Sequence, residues 1–125
     1  MSREIKFRAW YMPFGSKGPM QEMLHRRASS ILSFAEMNPD AYIVEQFTGL
    51  KDKNGKDVYE GDLLKIKYPF SDNDEIGEVK WSNSDAGFII GNFQFWKVVP
   101  KSVVVGNVHE DKDLLEENWR QTNER

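Results

Sequence analysis

The chain has 125 residues, of which 39% are hydrophobic and 13% aromatic, with a formal net charge of −3 and no cysteine. That length suits one domain with an unstapled core, while the missing cysteines exclude disulfides, thiolate metal sites and cysteine nucleophiles. A negative net charge disfavours simple electrostatic capture of nucleic acid. Yet 1–35 carry six Lys or Arg against two acids, 36–108 eight against twelve, and 109–125 three against six. The basic head is read as a solvated face that complements its neighbours, or as a partner surface.

Ile5, Phe7, Ala9 and Tyr11 alternate with Lys6, Arg8 and Trp10, the period of a half-buried strand. Pro13, Gly15, Gly18 and Pro19 open a loop, and Met20 to Leu24 suit a short return strand. Ser29 and Ser30 read as the cap of a short helix over Ile31–Met37, closed by Asn38-Pro39, although Ile31, Leu32 and Phe34 also suit a strand. Tyr42–Thr48 is strand-like. Asn54-Gly55 then supplies a tight reversal, and Val58-Tyr59 resumes an extended path. Glu60-Gly61-Asp62 bends the chain into a strand with Leu64, Ile66 and Tyr68 on one face and Lys65 and Lys67 on the other.

Pro69–Glu75 is acidic and turn-rich, and Gly77–Trp81 alternates again. Strands are expected at Phe88–Ile90, Phe93–Val99 and Ser102–Val108. Val103-Val104-Val105 is apolar on both faces and predicts a strand central in its sheet or covered on each side. Asp111 is placed to cap a closing helix through Arg120, with Leu115 and Trp119 on its buried side, ahead of a frayed tail at 121–125. The expected fold is mainly β: a small SH3-like barrel or curled sheet with an N-terminal β elaboration and a short C-terminal helix. The whole of 1–125 is expected to be one domain, with 1–47 the elaboration, 48–110 the barrel core and 111–120 the helix.

Three blocks carry a family resemblance: Ile5–Trp10, Thr48–Asp62, and Val105–Glu110 with Leu114-Leu115. In this order they resemble the YopX-like family of phage and prophage proteins. Asp111-Lys112 stands where that family often has Asn-Pro at the helix start. The resemblance implies a phage or prophage origin, a β-rich fold and an intracellular location. It implies no catalytic residue, because the family has no established biochemical function.

The residues themselves offer few sites. No nucleophile elbow, phosphate-cradling loop or His-Glu-x-x-His motif is present. His109, Glu110, Asp111 and Asp113 are metal-capable, but a strand-to-helix junction favours acids anyway. Glu60 and Asp62 flank Gly61, where carboxylates usually hold a turn rather than transfer protons; Asn54, Gly55, Glu60, Gly61 and Asp62 are therefore read as structural. Lys6, Arg8 and Trp10 project from one strand face, two cations and a stacking ring that suit single-stranded nucleic acid, and Lys65 and Lys67 would widen the patch. Trp81, Phe93, Phe95 and Trp96 are expected to fill the core, or to mark an interface wherever they are exposed.

The reading from sequence is a non-enzymatic binding or adaptor protein without cofactor or metal, in the host-cell cytoplasm and not in a membrane. It acts on a host or phage protein or on copies of itself, with nucleic-acid binding as the alternative.

Overall fold

The computed structural model describes residues 4–15, 22–67, 74–90 and 93–115. Backbone packing divides the chain into two compact units, Met1–Gly49 and Leu50–Arg125. The protein is mainly β. A four-stranded sheet has the order β2-β1-β3-β4 and a five-stranded sheet the order β8-β7-β6-β5-β9.

In the first unit, β1 (Phe7–Tyr11) pairs antiparallel with β2 (Glu22–Arg26) and with β3 (Tyr42–Lys51). Helix α1 (Ala28–Met37) packs beside β1 and β2. It starts a turn earlier than Ser29 and Ser30 suggest. Arg27 occupies the cap position without a side-chain bond, and its carbonyl accepts the Ile31 amide at 3.0 Å. Ile31 in the first turn of α1 is buried, and a fully buried isoleucine stabilises by roughly 1.5–3 kcal/mol. Phe34 stacks on Tyr42 at 6.0 Å between centroids, and Tyr42 meets Tyr11 at 5.4 Å, which seats α1 on that sheet face. The strand alternative for Ile31–Phe34 is therefore set aside.

The second unit continues from β3 into β4 (Asp57–Tyr59), β5 (Asp62–Lys67), β6 (Asp74–Ser82), β7 (Gly87–Ile90) and the two-residue β8 (Phe93–Gln94). Val58, Leu64, Ile66, Val79, Ile90 and Val99 form its core, with Leu50, Phe88, Val98 and Val104 packed against it. The alternation foreseen in β5 holds for Leu64 and Ile66 against exposed Lys65.

Three expectations are corrected here. Phe93–Val99 is not one strand: after β8 the chain forms α2 (Phe95–Val98) and a 3-10 turn over Val99–Lys101. β7 has four residues and offers no partner for a seven-residue strand, while Pro100 has no N–H to give to a ladder. The valine run lies in β9 (Val103–Asn107), which is the edge strand beside β5 and not central, and Val105 is exposed. A register shift between Leu63 and Leu64 lets that edge bend. Nor do the strands close into a barrel, because β8 and β9 end the five-stranded order without pairing to each other among the described residues.

Residues 112–115 begin a helical turn. Tyr68, the turn-rich stretch up to residue 73, and Trp119, Arg120 and the 121–125 tail lie outside the described residues, as does 16–21 ahead of β2.

Gly77 leaves no room for a side chain against the second core. A Cβ there would collide with Ile90 Cγ2, held close to its own backbone in a fully buried residue. Gly77→Ala is expected to cost about 1–3 kcal/mol by overpacking, read as a lower midpoint in urea with an unchanged slope.

Candidate functional site

Lys6, Arg8 and Trp10 lie on one face of β1, as alternation requires, but they do not form an open surface. Arg8 is 6% exposed and Trp10 not at all. Register puts Glu45 directly opposite Arg8 and Ile43 opposite Trp10, so Glu45 shares their face. Arg8 Nε and Trp10 Nε1 donate to the same oxygen, Glu45 Oε1, at 2.9 and 2.7 Å. The Arg8 guanidinium also sits 5.9 Å from the Trp10 ring. Lys6 is partly exposed, 3.1 Å from Glu4 Oε1 and 5.1 Å from the Phe47 ring centroid. The backbone supports the same register, Phe47 N–H donating to the Lys6 carbonyl at 2.9 Å. Lys65 is exposed on β5, a strand of the other unit, and the Lys67 side chain falls outside the described ones.

A buried ion pair is costly to break from one side, because the remaining charge stays in a poor solvent. Glu45→Gln is expected to destabilise by about 3 kcal/mol in chemical denaturation. Arg8→Met with Glu45→Leu should recover only part of that loss, because the buried Trp10 indole N–H then lacks its Glu45 acceptor.

The motif from Thr48 to Asp62 is built around a residue the sequence reading passed over. Asp52 is buried, and its Oδ1 accepts the amides of Asn54 and Lys56 at 2.8 and 2.9 Å. Its Oδ2 accepts the Val104 amide of β9 at 2.9 Å. Asp52 N–H donates to the Lys56 carbonyl, and Lys53 N–H to the Ser102 carbonyl, each at 2.9 Å. Gly55 completes the turn with φ of +80°, which glycine takes without strain. Burial pushes the Asp52 carboxyl up, but bonds from Val104, Lys56 and Asn54, with the Lys56 charge, outweigh burial and hold it below its ordinary value of 3.8.

The stabilisation is therefore complete above pH 3.8 and fades as pH falls from there through the lower folded value. Asp52→Asn is expected to cost about 1–3 kcal/mol at neutral pH, since its amide turns a donor toward N–H groups. Thermal melts of the two proteins should converge as pH falls through and below that range.

Glu60-Gly61-Asp62 works the same way. Asp62 Oδ2 accepts the Tyr59 amide at 2.8 Å. Gly61, at φ +86°, donates to the Val79 carbonyl and accepts from Val108, both at 2.9 Å. At the end of β9, Asn107 Oδ1 accepts the His109 and Glu110 amides at 3.0 and 2.9 Å. Asp111 Oδ2 accepts the Asn107 amide at 3.1 Å, so this oxygen secures the strand end, and the Asp111 carbonyl accepts the Leu114 amide at 2.9 Å at the start of the helical turn. Gly106 is the residue that leaves room, because a Cβ there would strike the Asp111 carboxyl. Among the described residues no group of three His, Cys, Asp or Glu could hold a metal ion.

Of the aromatic candidates, Trp81 is 48% exposed at the end of β6. Phe88 of β7 meets it edge to face at 5.3 Å and 81°, and its Nε1–H donates to Asn83 Oδ1 at 2.8 Å. The following turn is fastened by Ser82 Oγ, which donates to Asp85 Oδ2 at 2.8 Å. Phe93, Phe95 and Trp96 have side chains outside the described ones. A register-dependent partner such as Glu45 could not be found by reading β1 alone. Asp52 left a signal, an acid two residues before Asn-Gly, the usual place for a carboxylate to accept turn amides.

These features define a two-unit antiparallel β protein whose most distinctive motif is turn architecture. The chain matches the family model described as YopX protein over residues 6–116, and it belongs to that family. Among solved structures it is similar to protein EF1440 from Enterococcus faecalis, with a TM-score of 0.58 and 22% identity. That likeness covers 91% of this chain and 99% of the other, and it is a likeness of fold. No curated protein matches the sequence. No described helix is long and apolar enough to cross a membrane.

Proposed function

We propose that this chain is a phage- or prophage-encoded, non-enzymatic binding or adaptor protein of the host cytoplasm, acting through contacts with a host or phage protein or with its own copies. The observation that carries the reading is Trp81. A large ring nearly half exposed would ordinarily lose side-chain freedom on binding. Here Phe88 holds one edge and Asn83 holds the indole N–H, so a partner meets an already ordered aromatic anchor.

Two further observations favour this class. Two acids of the family motif accept backbone amides, Asp52 two from its own turn and one from β9, and Asp62 that of Tyr59, which is structural work. The nucleic-acid alternative built on Lys6, Arg8 and Trp10 loses support, because two of its three side chains are buried and donate to Glu45. The second unit is read as SH3-type on its connectivity: β5 to β8 run as consecutive neighbours, a 3-10 turn follows, and β9 returns beside β5.

Trp81→Ala is expected to lower the melting midpoint modestly, through the lost Phe88 and Asn83 contacts, while the chain stays folded, and to weaken association by about 2 kcal/mol, roughly 30-fold. Light scattering over a concentration series reads self-association, and affinity capture from host lysate reads a foreign partner. If the variant matches the parent in both, the reading fails.

A further inference from the structure

We infer that the turn at 51–56 and the segment 97–101 together form a cationic docking face for a short acidic segment of a partner protein. This rests on the protein-contact reading, and it names the chemistry of one partner surface.

The turn carries Lys51, Lys53 and Lys56, and the α2 region carries Lys97 and Lys101; all five are exposed. Two tertiary bonds hold these segments together, Lys53 N–H to the Ser102 carbonyl and Val104 N–H to Asp52 Oδ2, each 2.9 Å. Lys53 is thereby bonded to the residue that follows Lys101. Over 51–57 and 97–104 the sequence has five lysines against two aspartates. One of those, Asp52, is buried and committed to backbone amides, and the other, Asp57, lies 3.1 Å from Lys51 Nζ. Lys53, Lys56 and Lys101 have no ion-pair partner among the described residues. Their positive charge is set in a unit that carries 11 Lys or Arg against 15 acids over 50–125.

The kind of anion follows from that contrast. A nucleic-acid strand is a continuous polyanion and would run from the lysines onto the acidic remainder of the unit, where it is repelled. A segment of a few Asp and Glu ends where the patch ends. Lysine ammonium groups on flexible stems suit carboxylates in varied positions, whereas no arginine supplies the planar fork that favours bidentate phosphate.

The test uses the full chain, a fluorescein-labelled hexaglutamate peptide and a labelled oligothymidylate of comparable charge, in anisotropy titrations at low and at physiological salt. The expected result is peptide binding that weakens with salt and falls about tenfold or more in Lys53→Gln/Lys56→Gln/Lys101→Gln. Melting of that variant should match the parent, since all three side chains are exposed, and Trp81→Ala should bind the peptide normally. Absence of peptide binding, equal binding by the triple variant, or tighter binding of the oligonucleotide overturns the inference. None of these outcomes depends on Trp81, so the broader reading stands or falls separately.

Discussion

The second unit hangs on one carboxylate. Asp52 accepts three backbone amides, two from its own turn and one from β9, which lies 52 residues further along the chain. A turn alone would be marginal, and an edge strand alone would leave its amides exposed. Joined by Asp52, each supplies what the other lacks. The bond also explains why a polar side chain is tolerated in burial: every contact it makes is with a group that needed an acceptor. Gly55 and Gly61 serve the same end, giving the backbone the positive φ that lets these short reversals reach their partners.

In the first unit Glu45 holds a comparable position. It takes the Arg8 guanidinium and the Trp10 indole on one oxygen, which turns an apparently open cationic strand into interior. Such a cluster contributes little net stability over apolar residues of similar size, but it penalises any other register of β1 on β3. A slip of one residue would carry Arg8 away from Glu45, the acid that directly opposes it in this register.

Strand periodicity in β1, β5 and β6 was legible in the sequence because alternation is a local property, and Asn-Gly was legible because turn geometry selects its residues. What escaped were consequences of pairing. Whether Arg8 and Trp10 face solvent depends on Glu45, 37 and 35 positions away. Whether 93–99 can stay extended depends on how much of β7 exists to receive it. Three valines in a row signal burial in the abstract, yet the structure sets them on an edge, where side-chain composition gives no warning. The family resemblance found the right region and said nothing about Asp52, whose importance lies in a bond to a distant strand.

The valine-rich edge raises a question of colloidal behaviour. An extended run of Val at the rim of a sheet is the kind of template on which another chain adds as a new strand, and continued addition leads to fibres. In this protein the Val104 amide is taken by Asp52 and the Asn107 amide by Asp111, both carboxylates of the same chain. An incoming strand would have to displace two charge-assisted bonds before making its own. The acids that shape the fold also guard this valine-rich border against templated aggregation.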